Sequence, residues 1–569
     1  MASRLALLAP VCFSSLFGCF SAGDGTAPPG NSFYFPVGLA VSRAGNVLYT
    51  ANSDFDLQWN GGTLQSYDLS LIRRHTLIAI KDPSDPNGLL PLLRRGVDAN
   101  ACPANPPVYS VGGGRQPLGE TCSPPVDSTV YVRDSATVGA FATDLLLSRS
   151  GTRIYVPVRG DASLTWVDVA YDDPAAPAPF TLDCGTRVDN RCDDAHRAGA
   201  WSSEPGNTRG LTLPGEPFGL SESEDGSALV ITHQTDTKTS LFSTGLATGA
   251  SPTAPALQYV LDGMARGGMG ITAVPHDPLA FPDCGSTPFA LCPPRPAFVQ
   301  VSRVNAQIEL LRLYSDEGYL GPSSLRRPFL VRETTFPITA NAGGSDSRSV
   351  AIDSTPRLAC KAQVAAADPT STPPRTPAMV TADQAACARL PARIFIANRT
   401  PASLLVGEVG ATTDTVYDAD RIVISKSVPL TFGPSRVYLA PVVDSTGRYA
   451  LRVFVVCFDS SIIFIYDPST DSIENLVRVG QGPFAMAFDP YDLNDVAVRA
   501  VVPVDDRVPV DPVFNPSTDR LRRYRFGYVA SFTKSFVQSL DLDNARPDKS
   551  TFERVVYTLG LPTAPKGSR

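Results

Sequence analysis

Cysteine is the residue type in this sequence whose number and spacing most clearly indicate chemistry. Eleven cysteines occur, and eight of them form pairs that are close in sequence: Cys102 and Cys122, Cys184 and Cys192, Cys284 and Cys292, Cys360 and Cys387. In an exported chain such pairs predict disulfide bonds within loops, and reduced or differently paired thiols are the alternative. Cys457 stands alone in an apolar run, which is typical of a buried cysteine that acts as a small hydrophobic residue.

Metal-binding and catalytic motifs find little support. No Cys-x-x-Cys or Gly-x-Ser-x-Gly motif occurs. The four histidines are far apart in sequence: His75, His196, His233 and His276. Asp541 and Asp543 have the spacing that opens a calcium-binding loop, but Ala545 and Arg546 stand where a ligand and the required glycine would be. We therefore predict no metal, no cofactor and no catalytic residue.

The amino-terminal residues have the pattern of a processed export signal. Arg4 precedes an apolar run over residues 5–17, which is shorter than the ~20 residues needed to span a bilayer. The run ends in Leu16-Phe17-Gly18-Cys19, which resembles a bacterial lipobox whose cysteine is acylated. An ordinary secretory signal is the alternative. We expect residues 1–18 to be the signal peptide, Cys19 to carry the lipid, and residues 19–32 to form a flexible tether.

Composition predicts an all-β protein with many loops. The chain of 569 residues holds 52 Pro and 44 Gly, so long helices are not expected. There are 49 Lys and Arg against 56 Asp and Glu, a net charge of −7, and no basic run stands out. Nucleic acid is therefore excluded as an expected partner.

A repeated strand pattern organises residues 33–560. Residues 433–489 supply the template: four apolar runs (437–443, 450–458, 462–466 and 473–479) separated by turn residues, followed by a restart at Gly482-Pro483. Matching segments begin at residues 36, 141, 217, 269, 347, 434 and 483. Four short strands with a restart are typical of one blade of a β-propeller, and seven starts predict seven blades.

The repeat resembles the YVTN-type repeats of bacterial seven-bladed β-propellers. The matching residues read P-V-G-L-A-V-S-R-A-G-N-V-L-Y-T-A-N over 36–52, and F-A-T-D-L-L-L-S-R-S-G-T-R-I-Y-V over 141–156. The resemblance implies a surface or periplasmic protein. Most propellers of this type are non-enzymatic, and a minority are lactonase-like enzymes. A blade needs ~40–50 residues, so most of the spacings contain insertions, and these insertions hold the four cysteine pairs. Residues 561–569 are expected to be a loose tail.

The central channel of such a propeller is lined by the first strand of every blade. The equivalent channel positions are Gly38, Asp144, Gly219, Gly270, Ser349, Arg436 and Ala485. Arg348 lies one residue before the channel position of its blade. Asp144, Arg348 and Arg436 are therefore the candidate polar residues of the channel mouth. They could hold an anionic ligand, or they could solvate the channel and pair with each other, which we favour.

Together these features predict a seven-bladed β-propeller with long disulfide-stapled loop insertions. We expect a non-catalytic binding or scaffolding module, anchored to a membrane by its lipid and directed at an envelope protein or surface ligand. Phe20, rather than Asp, after Cys19 favours the outer membrane. The alternative is a lactonase-like or related hydrolase with its site at the channel mouth.

Overall fold

Short apolar segments between Gly, Pro and Asp turns fold into seven sheets of four or five strands each, whose consecutive strands are antiparallel. The computed structural model of the protein describes residues 25–81, 108–111, 114–117, 125–173, 176, 179–246, 251–281, 295–315, 327–338, 345–367, 375–413, 416–491, 496, 525–545 and 551–560. Cys12, Cys19, the pairs Cys102/Cys122 and Cys284/Cys292, and the predicted tail lie outside these residues. The predicted boundary between tether and propeller stays a prediction.

The first three blades come from the amino-terminal half of the chain. Blade 1 holds β1 (Pro36–Val41), β2 (Val47–Asn52), β3 (Thr63–Asp68) and β7 (Val132–Thr137). Between β3 and β7 lie α1 (Leu69–Lys81), β4 (Val108–Val111), β5 (Gly114–Pro117) and β6 (Pro125–Val126). Blade 2 holds β8 (Leu146–Leu147), β9 (Arg153–Val158), β10 (Ser163–Val169), β11 (Leu182–Asp183) and β12 (Arg197–Ala198). Blade 3 holds β13 (Pro217–Glu222), β14 (Ala228–His233), β15 (Thr239–Ser243) and β16 (Ala256–Leu261).

The other four blades follow the same order. Blade 4 holds β17 (Gly268–Ala273), β18 (Ala297–Ser302), β19 (Gln307–Ser315) and β20 (Pro328–Pro337). Blade 5 holds β21 (Ser347–Asp353), β22 (Ala392–Arg399), β23 (Ala402–Thr413) and β24 (Val416–Pro429), with α2 (Thr355–Ala367) and α3 (Pro377–Ala388) inserted after β21. Blade 6 holds β25 (Pro434–Val443), β26 (Tyr449–Cys457), β27 (Ile462–Asp467) and β28 (Ser472–Arg478). Blade 7 holds β29 (Pro483–Phe488), β30 (Phe526–Ser531), β31 (Phe536–Asp541) and β32 (Val555–Leu559).

The hydrophobic core is divided into layers between neighbouring blades. Each of seven buried clusters combines side chains from two adjacent sheets. One cluster joins the first blade to the last, with Leu39 and Leu48 packed among Tyr528 and Tyr557. The sheets therefore form a closed ring, and the predicted seven-bladed all-β fold is confirmed.

Close packing of the first strands at the centre of the ring explains why the repeat has glycine there. A Cβ atom on Gly38 would lie 2.4 Å from Cβ of Leu145 in blade 2. A Cβ atom on Gly219 would lie 2.1 Å from the carbonyl oxygen of Met269 in blade 4, and the same atom on Gly270 would lie 2.6 Å from Cα of Ser349 in blade 5. The innermost strands approach too closely for any side chain at these positions, which explains the Pro-x-Gly pattern.

Ring closure uses a strand from the first insertion. The strand β32 completes blade 7 by pairing with β31. Its outer edge pairs in parallel with β6, with Thr558 opposite Pro125 and Leu559 opposite Val126. The backbone N–H of Gly560 also donates to the carbonyl of Val126 over 2.7 Å.

The two faces of the ring differ in their connections. We call the face on which the first strand of each blade begins the upper face, and the opposite one the lower face. The second and third strands are joined at the upper face by short segments: 53–62, 159–162, 234–238, 303–306, 400–401, 458–461 and 532–535. At the lower face, long segments leave the strand ends: 69–131 after β3, 274–296 after β17, 354–391 after β21 and 489–525 after β29.

The insertions contain helices that the strand-based analysis did not predict. The helix α3 begins with Pro377, and the side chain of Thr376 caps it by accepting a hydrogen bond from the N–H of Met379. Proline at the first position and threonine at the cap are strong helix-start signals. The insertion of the fifth blade is therefore not only a loop, because its alanine-rich stretches form the antiparallel pair α2 and α3.

Candidate functional site

Two of the three predicted channel residues meet across the ring. Arg436 lies near the start of β25 in blade 6, and its Nη1 donates to Oδ2 of Asp144 in blade 2 over 2.6 Å. The guanidinium also lies over the ring of Phe218 at 5.6 Å and over that of Phe484 at 5.2 Å. The pair therefore spans the mouth of the channel between two aromatic faces.

The electrostatics of this pair keep the Arg436 guanidinium charged. Burial lowers the pKa of Arg436, but the Asp144 carboxylate and the nearby Tyr438 raise it by more, so the net shift is upward. The side chains of Arg436 and Asp144 are only 13% and 15% exposed. An ion pair held this far from water is strong but contributes no net charge to the mouth. An anionic ligand would have to displace Asp144 to reach Arg436.

The third predicted residue, Arg348, lies in a separate network. Its Nη2 donates to Oδ2 of Asp346 over 2.9 Å, two residues earlier in the chain. Asp346 also faces Arg303 of blade 4, with Nε 3.9 Å from Oδ1. Arg348 therefore neutralises a local carboxylate and does not join Arg436.

A band of phenylalanine rings on the upper face was missed by the sequence reasoning. Its members are Phe35, Phe55, Phe141, Phe458, Phe484 and Phe532, which we call the aromatic band. The ring centroids of Phe35 and Phe532 are 4.8 Å apart, and those of Phe55 and Phe532 are 5.3 Å apart. Phe532 continues the contact to Phe484 at 5.8 Å and to Phe458 at 6.0 Å.

The repeat register contains the signal that locates part of this band. Cys457 lies opposite Pro434, and Ser531 lies opposite Pro483, in the equivalent pairings of blades 6 and 7. Phe458 and Phe532 therefore occupy the same place, directly after the second strand of their blades. An alignment of the two hairpin loops reveals this coincidence, whereas the contact with Phe55 and Phe35 requires the closed ring.

Part of the upper face remains exposed to solvent. Phe55 is 52% exposed, Leu57 is 39% exposed and Phe432 is 81% exposed. The residue after Phe432 accepts a hydrogen bond from the N–H of Phe458, which places Phe432 at the edge of the aromatic band. We call Phe55, Leu57 and Phe432 the exposed apolar rim.

Two members of the aromatic band have strained backbones. Phe35 has φ of +47° and Phe141 has φ of +57°, where the equivalent positions of blades 4, 6 and 7 hold Gly267, Gly433 and Gly482. A left-handed conformation costs a non-glycine residue about 1–2 kcal/mol. The ring contacts of these two phenylalanines offset this strain.

The described cysteines form the predicted pairs. Cys184 and Cys192 are joined with Cα atoms 5.1 Å apart, and Cys360 and Cys387 with Cα atoms 5.4 Å apart. The second bond links α2 to α3. Cys457 is a buried free thiol whose pKa burial raises to about 12, so it has little thiolate character.

The described residues offer neither a metal-binding cluster nor a membrane-spanning helix. Within them, no group of three or more His, Cys, Asp or Glu side chains is arranged to hold a metal ion. The oxygens of Asp541, considered above for calcium, accept hydrogen bonds from the N–H of Asp543 and the hydroxyl of Thr551. None of the helices in the described part of the chain is long and apolar enough to cross a membrane.

Comparisons with known proteins find structural likenesses at very low sequence identity. No family model and no curated protein matches the sequence. Among solved structures, a 6-phosphogluconolactonase assigned by similarity from Bacteroides uniformis aligns at a TM-score of 0.40 and 11% identity, covering 79% of this chain and 86% of that one. The Kuenenia stuttgartiensis hydrazine synthase aligns at 0.40 and 9% identity, covering 91% and 98%. Saccharomyces cerevisiae Sqt1 aligns at 0.40 and 7% identity, covering 95% and 92%.

Proposed function

We propose that this protein is a lipid-anchored, exported propeller of the YVTN type that acts as a non-catalytic binding or scaffolding module at the cell envelope. In this proposal Cys19 carries the lipid in the outer membrane, and an envelope protein or surface ligand binds the lower face. The observation that carries the proposal is the rigid helical pair α2 and α3 that projects from blade 5.

The helical pair is held to the propeller by buried polar contacts. Nε of Arg357 donates to the carbonyl of Leu390 over 2.6 Å, and its Nη1 donates to the carbonyl of Pro275 over 2.8 Å. Lys361 forms an ion pair with Asp277 of the neighbouring insertion. Together with the Cys360–Cys387 bond, these contacts fix the pair before any partner arrives. Such preorganisation reduces the entropy lost on binding.

Exposed apolar side chains accompany the helical pair. Leu279 is 39% exposed, Met379 is 54% exposed and Leu390 is 38% exposed. Leu279 and Leu390 belong to neighbouring segments, since Nε of Arg389 donates to the carbonyl of Ala280 over 3.0 Å. Apolar side chains rimmed by polar groups on a rigid surface are the composition of a protein-binding patch.

The channel mouth supports a non-catalytic role. Its strongest candidates for acid–base or electrostatic chemistry, Asp144 and Arg436, neutralise each other and are buried. General acid–base catalysis needs a group that is free to exchange a proton with substrate. The polar groups of this mouth instead brace the ring.

The test combines the anchor and the partner surface. Mass spectrometry of the mature protein from membranes should find an acylated Cys19 at its amino terminus. A photo-cross-linking residue in place of Met379 should give a discrete adduct with an envelope component. The control position is Val423, which lies in β24 of blade 5 and is 45% exposed. The same cross-linking residue there should give no adduct. An unmodified Cys19 behind an uncleaved leader contradicts the anchor. Absence of adducts at position 379, or equal adducts at both positions, contradicts the partner surface.

A further inference from the structure

The amino-terminal segment approaches the upper face of the propeller. The backbone N–H of Asn60 donates to the carbonyl of Thr26 over 3.0 Å, and Nδ2 of Asn60 reaches the carbonyl of Gly25 over 3.5 Å. Further along, Nε2 of Gln65 donates to the carbonyl of Ser32 over 3.2 Å. The segment therefore contacts blade 1 from its first described residue onward.

The attachment point belongs to the same loop as the exposed apolar rim. Asn60 lies in residues 53–62, the loop between β2 and β3 that also holds Phe55 and Leu57. Tyr34 joins the amino-terminal segment to this loop, because its ring packs edge-on against Trp59 at 6.0 Å and its hydroxyl donates to Asp56. Gly25 and the exposed rim therefore share one face.

Covalent reach limits how far this face can lie from a lipid on Cys19. Six peptide units separate Cys19 from Gly25, and an extended chain spans at most about 3.5 Å per residue, or roughly 20 Å. An acyl group on Cys19 would therefore hold the upper face within about 20 Å of the bilayer surface. At this distance the effective concentration of lipid is very high, so a small apolar surface suffices for docking.

We propose that the upper face docks on the lipid bilayer, with Phe55, Leu57 and Phe432 entering the boundary between headgroups and acyl chains. The inference rests on the proposed acylation of Cys19. Apolar side chains on a rigid support bind this boundary in proportion to the apolar area that they bury. The aromatic band supplies the support, because the ring of Phe55 contacts that of Phe532 at 5.3 Å, and Phe532 in turn packs against Phe458 at 6.0 Å.

In this proposal the two faces have different binding partners. A membrane on the upper face leaves the lower face, with α2 and α3, directed away from the bilayer. Leu279, Met379 and Leu390 would then be accessible to a partner. A second copy of the chain on the upper face, or a protein partner there, would bury the same rim and is distinguished by the experiment.

The experiment places a fluorescent probe on each face of the acylated protein. In a background with Trp59→Phe, Trp166→Phe and Trp201→Phe, the single substitution Phe55→Trp reports on the upper face, and Met379→Trp reports on the lower face. Each protein is reconstituted into vesicles of phosphatidylethanolamine and phosphatidylglycerol (3:1), with and without acyl-brominated lipid. The tryptophan at 55 should lose at least half of its fluorescence in brominated vesicles, and the tryptophan at 379 should lose less than a tenth.

A second variant tests the contribution of the rim. Leu57→Ser with Phe432→Ser should reduce the quenching at position 55 at least twofold, whereas Leu279→Ser with Leu390→Ser should leave it unchanged. Circular dichroism checks that each variant is folded. Equal fluorescence at position 55 in brominated and plain vesicles overturns the docking, as does a cross-linked dimer that buries position 55.

Failure of the anchor is separable from failure of the docking. An unmodified Cys19, measured by mass spectrometry of the same sample, overturns both the anchor and the docking that depends on it. An acylated Cys19 with an unquenched tryptophan at position 55 overturns the docking alone and leaves the anchored binding module intact.

Discussion

The upper and lower faces of this propeller follow different rules. On the upper face the second and third strands are joined by short loops, and the side chains there contact neighbouring blades. On the lower face long segments leave four of the blades, and one of them forms a helical pair with its own disulfide bond. The upper face is therefore constrained by the ring, whereas the lower face accepts independent structure.

Contacts between neighbouring blades show why the upper face tolerates so little change. The hydroxyl of Thr143 in blade 2 donates to the carbonyls of Pro217 and Phe218 in blade 3, over 3.2 Å and 3.1 Å. The hydroxyl of Thr232 donates to the carbonyl of Met269 in blade 4 over 2.9 Å. An insertion here would separate two blades, while an insertion at the lower face extends into solvent.

The largest effect should follow from breaking the pair at the channel mouth. Replacement of Arg436 by Met leaves the buried Asp144 carboxylate without its cation, and we expect a loss of about 3–5 kcal/mol in the free energy of unfolding. Urea unfolding measures this loss. Arg348→Met is the matched control, and it should cost about 1 kcal/mol because Asp346 keeps Arg303 nearby. Restoration of most of the stability in Arg436→Met with Asp144→Asn would confirm the cause, and equal losses in the two single variants would contradict it.

A smaller and local effect should follow from removing a disulfide bond on the lower face. In Cys360→Ser with Cys387→Ser, we expect the amides of α2 and α3 to lose about 2 kcal/mol of protection. Amides of β21 and β22 should keep theirs, because the ring does not depend on the helical pair. Hydrogen exchange with mass spectrometry measures both regions. The matched variant Cys184→Ser with Cys192→Ser should change exchange only in blade 2, and a uniform loss of protection over the ring would refute the independence of the lower face.

The smallest effect compares one buried carboxyl group from each face. Burial raises the pKa of Asp54 in the upper-face loop to about 7, and burial raises that of Glu222 at the lower end of β13 to about 7. A carboxyl group with a raised pKa holds its proton more tightly in the folded protein, so its contribution to stability is lost as the pH rises through 7. Between pH 6 and 8 each group should cost about 1.4 kcal/mol.

Amide variants separate the two contributions. Asp54→Asn should remove about 1.4 kcal/mol of the pH-dependent loss, and Glu222→Gln should remove a similar amount, in chemical unfolding at pH 6 and pH 8. The Asp54 effect should also shrink in vesicles if lipid contact changes the solvation of its loop. If the free energy of unfolding changes between pH 6 and pH 8 as much in a variant as in the unmodified protein, other groups cause the pH dependence.

Most of the fold could be predicted from the sequence because every repeat contains the same order of strands and turns. The predicted apolar runs of residues 433–489 correspond to β25, β26, β27 and β28, since turn residues mark each strand end. The helices were missed because the insertions do not share the repeat and their composition is rich in both alanine and proline.

The candidate site was accessible only in part. Asp144 and Arg436 occupy equivalent positions of the repeat, so their placement in the channel followed from the register, while their pairing across the ring required its closure. Arg348 lies one residue before its channel position, and there the side chain reaches Asp346 instead. The aromatic band joins loops from blades 1, 2, 6 and 7, and this proximity exists only once the last blade meets the first.

The parallel pairing of β6 with β32 also affects how the chain can be made. A chain that emerges amino terminus first presents residues 125–126 more than four hundred residues before their partners at 558–559. During synthesis this short strand has nothing to pair with until β32 has been made, and the ring stays open with one unpaired edge on each side of the gap. The arrival of β32 pairs both edges at once, so a chain cut before β32 would leave both β31 and β6 without a partner strand.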